Sequence, residues 1–156
     1  QTISTYFHPL DGVKNWNKIY GPKGFLQYQF VVPDEASYFV RKTLQALKEV
    51  GAPSFLTVLK RFGESNKGLL SFPKKGWTLA IDIPANNKNL NKYLKKLDQL
   101  IIQNYGRFYL AKDSIQSHEV FKNSYPKYEE WLSIKKDLDP KNIFYSDLSQ
   151  RLKIEY

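Results

Sequence analysis

The stretch Gly24-Phe-Leu-Gln-Tyr-Gln-Phe-Val-Val32 carries the strongest strand pattern in the chain. Side chains alternate between the two faces of a strand. One face therefore carries Leu26, Tyr28, Phe30 and Val32, and the other carries Phe25, Gln27, Gln29 and Val31. Buried amides are nearly always hydrogen-bonded. The two glutamines are therefore predicted to face water, each other or a ligand.

Three more strands and two amphipathic helices follow from the same kind of pattern. The strands are predicted at residues 54–62, Trp77–Pro84 and Arg107–Ala111. One helix is predicted from Pro33-Asp34 to about Val50, with Ala36, Val40, Leu44 and Leu47 on its apolar face. The other begins at Asn86 or Asn89, with Leu90, Tyr93, Leu94, Leu97 and Ile101 on its apolar face.

This order of elements predicts an α+β fold. Strand-helix-strand-strand-helix-strand is the split βαβ (ferredoxin-like) arrangement, an antiparallel sheet with the helices on one face. A helical C-terminal extension follows from about residue 115, and Asp139-Pro140 interrupts it. A short entry helix capped by Asp11 is predicted before the first strand.

The face of this sheet away from the helices is predicted to be polar. In the second and third strands the alternation assigns Lys60, Thr78 and Asp82 to the same face as the two glutamines. Such a surface must meet water, another domain or a ligand.

A second candidate site is the stretch Gly106-Arg-Phe-Tyr-Leu-Ala-Lys-Asp-Ser114. It begins as a strand and runs into Lys112, and Asp113 or Ser114 is predicted to cap a helix starting near Gln116. A lysine fixed between two regular elements can be aimed at a ligand. The alternative is a solvated lysine in a capped turn, because exposed lysines are common.

Composition limits the classes of function. The chain has 156 residues, 15% aromatic residues, a net charge of +9 and no cysteine. This suits one domain with a core, and it excludes disulfides and thiolate chemistry. His8 and His118 fit no metal-ligand spacing, so no metal site is predicted. The charge alone is compatible with a nucleic acid, an anionic membrane or a phosphorylated substrate.

Several segments together resemble one family. They are Phe7-His-Pro-Leu-Asp11, Gly24 to Phe30, Lys60-Arg-Phe-Gly63, Leu70-Ser-Phe-Pro73, Gly76-Trp77, Gly106 to Ser114, Tyr125-Pro126, Glu130-Trp131, Asp139-Pro140 and Ser146-Asp-Leu148. The chain resembles, over nearly its whole length, the C-terminal half of FAD-linked oxidases of the vanillyl-alcohol oxidase superfamily. The resemblance implies that residues 1–156 are one cap domain and that FAD is bound mainly by an N-terminal domain outside this sequence.

The resemblance also implies roles for individual residues. Lys112 matches the lysine that approaches flavin and substrate, which makes it the predicted catalytic and cofactor-contacting residue. The predicted substrate-binding residues are Gln27, Gln29, Lys60, Thr78 and Tyr109. Thr78 and Ala80 replace an asparagine and a cysteine of the family, which makes the pocket less polar.

The implied reaction is oxidation of a secondary alcohol of a sugar, in which a hydride passes to the flavin. The expected partners are the chain's own FAD domain, a reductase and a sugar or lipid-phosphate-linked sugar. The resemblance gives no reason to expect nucleic acid. The location is expected to be cytoplasmic or peripheral at a membrane, because Leu69, Leu70 and Phe72 lie beside Lys74 and Lys75 in the long 63–76 loop.

Two other interpretations of the sequence are possible. A basic βαββαβ domain with aromatic strands is also typical of RNA-recognition modules. However, the strands lack that module's aromatic signature. The other reading is a regulatory domain with no catalytic role.

Overall fold

The computed structural model describes residues 2–8, 12, 14–52, 54–85 and 89–154. Asp11 and Asn86, the predicted caps of the entry helix and of the second long helix, lie outside these residues. The entry segment contains α1 (Ile3–Phe7), capped by the Thr2 side chain, and a 3₁₀ turn over Trp16–Tyr20.

The four strands found in the described residues form one antiparallel sheet in the order β2-β3-β1-β4. They are β1 (Phe25–Val32), β2 (Leu56–Phe62), β3 (Gly76–Pro84) and β4 (Arg107–Phe108). Strand β3, which follows β2 in sequence, lies between β2 and β1, as the split βαβ arrangement requires. The predicted fold class is confirmed.

Two helices cover one face of the sheet. They are α2 (Tyr38–Glu49), which follows a 3₁₀ turn at Asp34–Ala36, and α3 (Leu90–Gln103). Beneath them lies a core in which Phe30, Leu79 and Ile83 are fully buried. The apolar stripe predicted for α3 is confirmed, since Leu90, Leu94, Leu97 and Ile101 are all buried.

The stripe predicted for α2 is partly wrong. Its buried residues are Phe39, Thr43, Ala46 and Leu47, whereas Leu44 is 40% exposed. The helix begins at Tyr38, after a separate 3₁₀ turn, and a 3₁₀ turn rotates the chain by a different angle per residue than an α-helix. The face that meets the sheet is therefore set by the bulky Phe39.

The predicted C-terminal extension is helical. It consists of α4 (His118–Ser124), α5 (Tyr128–Leu138) and α6 (Asp147–Arg151). The α5 helix ends just before Asp139-Pro140, as predicted. These helices enclose a second core, which consists mainly of Phe121, Tyr125, Tyr128, Leu152 and Ile154.

The junction after the fourth strand differs from the prediction. Strand β4 ends at Phe108, and residues Leu110–Lys112 form a 3₁₀ turn instead of the last part of a strand. The next helix starts at His118 and is capped by Ser117. Asp113 instead accepts the Ile115 and Gln116 N–H groups, each at 2.9 Å. The Asp113 side chain thus stabilises a turn, and the helix begins later in the sequence than predicted.

Candidate functional site

The register of the strands assembles the predicted polar face. Gln27 lies opposite Asp82 across β1 and β3, and Lys60 lies opposite Thr78 across β2 and β3. Directly paired residues of adjacent strands project from the same face. The polar side chains of three strands therefore share the face of the sheet away from α2 and α3, as predicted. We call this surface the open face.

Asp82 is already engaged at one end of the open face. It is buried, and it accepts hydrogen bonds from the Gln27 amide at 2.9 Å and from the Tyr20 hydroxyl at 3.2 Å. Burial, followed by the charge of Asp82, raises the pKa of Tyr20, so this phenol remains a donor. Tyr20 also stacks on Phe25 at 4.2 Å. Asp82 therefore orients Gln27 and ties the entry segment to the sheet.

Gln29 and Thr78 form the centre of the open face. The Gln29 amide nitrogen donates to the Thr78 hydroxyl oxygen at 3.1 Å. This bond leaves the Thr78 hydroxyl hydrogen and the Gln29 amide oxygen as donor and acceptor. In the part of the chain that the structure describes, neither is used by another side chain. Because Thr78 is only 1% exposed and Gln29 is half-buried, a ligand would reach this pair through the Gln29 amide oxygen, which accepts a ligand hydroxyl.

An aromatic wall closes one side of the open face. Phe72, from the 63–75 loop, stacks on Tyr109 at 4.7 Å and meets the edge of Phe62 at 5.7 Å. Phe72 is only 6% exposed. The prediction that Phe72 touches a lipid surface is therefore wrong for this arrangement, because the ring packs inward against the other two aromatic residues. Membrane contact by other parts of the loop stays a prediction.

Tyr109 and Lys112 follow the short edge strand β4. The Tyr109 N–H donates to the Gln29 carbonyl at 3.0 Å, which places Tyr109 beside the central pair. The Lys112 N–H donates to the Tyr109 carbonyl at 3.0 Å, which closes the 3₁₀ turn. The structure thus brings together Gln27, Gln29, Lys60, Thr78 and Tyr109. Lys112 is connected to this set through the backbone, and no side-chain contact joins it to them.

The backbone just after Lys112 is firmly anchored. The Asp113 carboxylate, besides its two N–H partners, accepts a charged hydrogen bond from Arg151 at 2.6 Å. Arg151 also donates to the Gln116 carbonyl at 2.7 Å. The α6 helix therefore fixes the turn that carries Lys112, which limits where its ammonium can reach.

Lys60 and Lys112 have no acidic partner among the described residues. Neither Lys60 nor Lys112 forms an ion pair there, whereas Lys75 pairs with Glu64 and Lys74 donates to the Tyr105 carbonyl. An unpaired ammonium beside a polar surface is available to an anion or to a developing negative charge. The described residues contain no cluster of three or more potential metal ligands.

Pattern reasoning missed Tyr20 and Phe72 as parts of this site. Both come from segments outside the long helices and strands, so no periodicity indicates which way they point. The only sequence signal was aromatic residues in otherwise polar or basic segments. It is too weak to separate an inward ring from an exposed one.

The chain is similar in sequence to known proteins. A profile of the D-arabinono-1,4-lactone oxidase family matches residues 40–152. The match covers most of the chain, and the protein therefore belongs to this family. The resemblance to FAD-linked oxidases that the motifs indicated is confirmed.

The chain is also similar to two individual proteins. The chain is 40% identical over 154 residues to the decaprenylphosphoryl-beta-D-ribose oxidase of Mycolicibacterium smegmatis, which covers 99% of this chain and 33% of that protein. It is 32% identical over 130 residues to an uncharacterized protein in the mprA 5′ region of Streptomyces coelicolor, covering 83% of this chain and 35% of that protein. The chain spans about a third of the length of these relatives.

Proposed function

We propose that the open face is the substrate wall of an FAD-dependent oxidoreductase that oxidises a secondary alcohol of a sugar. The observation that carries this proposal is the assembly of Gln27, Gln29, Lys60 and Thr78 on the sheet face opposite α2 and α3, where Lys60 is exposed, the glutamines are half-buried and Thr78 is buried. Family membership supplies the chemistry, since the family is one of FAD-linked oxidases. FAD itself is proposed to be held mainly by a domain outside this sequence.

Several features of the open face support this proposal. It combines an aromatic wall, polar strand side chains and two cations that have no acidic partner among the described residues, and ligand sites are lined by such a mixture. When bound, FAD supplies the hydride acceptor. The residues of this chain bind the substrate, orient it and shield it from water. The Gln29 amide, oriented by Thr78, accepts a sugar hydroxyl, and Phe72 with Tyr109 excludes water on one side.

Lys112 is proposed to contribute electrostatically. A fixed ammonium stabilises negative charge as it develops on a substrate oxygen or on the reduced cofactor. Because the Arg151–Asp113 pair anchors the neighbouring backbone, little reorganisation is needed when that charge appears. Lys112 is therefore the predicted catalytic residue.

A finer proposal concerns the sugar. The name of the mycobacterial relative indicates a phosphate-linked ribose as the substrate of that protein. For this chain we propose a lipid-phosphate-linked pentose, with Lys60 close enough to the open face to attract its phosphate. A partner reductase and contact with a membrane surface belong to the same proposal. In the described residues no helix is both long and apolar enough to cross a membrane.

The structure does not favour the RNA-binding alternative. Recognition sheets of that kind expose aromatic rings on which bases stack. Here Tyr28, Phe30 and Phe108 are buried, and on the open face Phe25 is stacked on Tyr20 and Phe62 packs against Phe72.

The proposal is tested with the protein in its natural length. We would record its flavin absorbance, add a phosphoribosyl-lipid analogue without oxygen, and compare wild type, Lys112→Ala and Lys92→Ala. Lys92 is an exposed lysine on α3, across the sheet from the open face, and serves as the charge-matched control.

Bleaching in wild type and in Lys92→Ala, but not in Lys112→Ala, is the expected result. A colourless protein that binds no added FAD would contradict the flavin proposal. A flavoprotein that the analogue does not bleach, but that other sugars do, would keep the oxidase and reject the phosphate-linked substrate.

A further inference from the structure

A cavity lined by the 63–75 loop is not used by the proposed reaction. Its volume is about 200 Å³, and it lies where the loop meets the segment just before α5. Its polar lining residues are Ser65, Asn66, Ser71, Arg107 and Lys127. The described lining thus contains two cations and no carboxylate.

Arg107 is the most unusual member of this lining. It is half-buried, and it donates to the Ser124 carbonyl at 3.0 Å and to the Ser71 carbonyl. Two of the five N–H donors of the guanidinium are thus used, and among the described residues no carboxylate neutralises its charge. Burial lowers the pKa of Arg107, which is the expected effect on a cation with no counterion.

The loop residues of the cavity are held in a defined orientation. The Asn66 amide oxygen accepts the Gly68 N–H at 2.9 Å, which leaves the amide nitrogen as the free end. A second turn bond joins the Ser71 N–H to the Gly68 carbonyl at 3.1 Å. The buried Ser71 hydroxyl has no partner in the part of the chain that the structure describes. The lining therefore offers several unused donors.

The charge around the cavity favours an anion. Lys127 immediately precedes α5, whose N-terminal end carries a partial positive charge. The first turn of that helix contains Glu129 and Glu130, of which Glu129 is paired with Lys122 at 2.6 Å, and neither lines the cavity.

We propose that this cavity binds a phosphate-type oxyanion, held by Arg107, Lys127 and the Asn66 amide. The anion is either free phosphate or the phosphate of a lipid headgroup. Binding there would clamp the 63–75 loop and, through it, the Phe72 ring on Tyr109. This proposal does not depend on the sugar oxidation, because the cavity lining contains none of the residues proposed to bind the sugar.

The sharpest test is Asn66→Asp. Aspartate keeps the acceptor for the Gly68 N–H and therefore the turn, but it replaces the free amide nitrogen with a negative charge. We expect it to weaken the binding of inorganic phosphate at least about tenfold, because a donor to a charged group is lost and repulsion is added. The matched control is Asn91→Asp, the same change at an exposed position of α3.

Lys127→Gln is the second variant. Since this lysine is exposed, we expect a smaller effect, about fivefold at low ionic strength. Lys92→Gln controls for the loss of one positive charge. Binding of inorganic phosphate is measured by titration calorimetry in a chloride buffer with the protein in its natural length. Urea unfolding verifies that each variant is folded.

The two sources of the anion are separated by co-sedimentation. Vesicles of phosphatidylcholine are compared with an equimolar mixture of phosphatidylcholine and phosphatidic acid. If the wild type binds inorganic phosphate and Asn66→Asp weakens this binding, the ligand is a free anion. If the wild type binds only the acidic vesicles and Asn66→Asp weakens that binding, the ligand is a lipid headgroup.

Binding that is equal in wild type, Asn66→Asp and Lys127→Gln would place the anion elsewhere and overturn the proposal. The absence of any binding to phosphate and to acidic vesicles would overturn it as well. Neither result would affect the flavin bleaching experiment, so this proposal and the proposed oxidase function fail separately.

Discussion

The two faces of the sheet are made from the same strands but are stabilised in different ways. On the helix side, Phe30, Leu79 and Ile83 are 0% exposed and pack into one continuous core. On the open face, polar side chains bind one another in pairs, such as Gln29 with Thr78, and leave donors and acceptors unused. The helix side therefore stabilises the fold, and the open face remains available for a ligand or another domain.

A buried aspartate lies on each side of the sheet. Asp98 of α3, on the helix side, is 1% exposed, and its carboxylate accepts the Tyr28 hydroxyl at 2.6 Å. Asp82, on the open face, is held by both Tyr20 and Gln27. Burial in the apolar core raises the pKa of Asp98 to about 7, despite the lowering effect of the hydrogen bond from Tyr28. Burial in the core thus favours the protonated, neutral form of the Asp98 carboxyl group.

The largest effect is expected from emptying the core on the helix side. Phe30→Ala removes a fully buried ring and leaves a cavity, and we expect a loss of about 3–5 kcal/mol in the free energy of unfolding. Urea denaturation measures this directly. A loss below about 1 kcal/mol would show that the two faces do not differ as described here.

The next effect is a dependence of stability on pH that arises from Asp98. Its pKa is about 7 in the folded protein and about 4 in the unfolded chain. Between these values the unfolded chain releases the proton and the folded protein keeps it. The free energy of unfolding therefore falls as the pH rises, by about 1.4 kcal/mol per pH unit, and levels off above about pH 7.

Asp98→Asn isolates this effect. Asparagine still accepts the Tyr28 hydroxyl but does not titrate. The difference in the free energy of unfolding between wild type and Asp98→Asn, measured from about pH 4 to about pH 7, is expected to shift steadily in favour of the variant. A constant difference over this range would show that Asp98 titrates normally.

Much of the helix side could be predicted from the sequence. The alternation in β1 and β3 and the stripe of α3 assigned core residues correctly, because burial in a two-layer fold follows the period of each element. The prediction of the apolar face of α2 was wrong by part of a helical turn. The 3₁₀ turn before Tyr38 shifted the helix in a way that no hydrophobic period records.

The candidate site was predictable only where it lies on strands. Gln27, Gln29, Lys60 and Thr78 were placed together by alternation and strand order, and the register confirms that placement. Residues Tyr109 to Ala111, just before Lys112, were predicted as strand, whereas β4 ends at Phe108, because the extent of this strand depends on pairing with β1 and not on local preference. Tyr20 and Phe72 reach the face through irregular segments, which carry no period. The roles of these residues in binding and catalysis stay predictions.

A smaller effect tests the centre of the open face. Thr78→Val keeps the shape of the side chain but removes the partner of the Gln29 amide. We expect a loss of about 1 kcal/mol in the free energy of unfolding, because Gln29 is only half-buried and water can replace the lost bond. Urea denaturation measures it, with Thr57→Val at an exposed β2 position as the control. A loss as large as that of Phe30→Ala would make this pair a structural element of the core.

The smallest effect on stability is expected for Lys60→Ala. Lys60 is exposed on the edge strand β2 and has no ion pair among the described residues, so truncation should change the free energy of unfolding by no more than about 0.5 kcal/mol. Yet Lys60 lies beside Thr78 on the open face, and its loss should raise the KM for an anionic sugar substrate while leaving that for a neutral one unchanged. Steady-state kinetics of the protein in its natural length would measure both values. Equal KM values for wild type and variant with both substrates would remove Lys60 from the site, because a lysine that neither stabilises the fold nor attracts an anion is only part of a solvated edge.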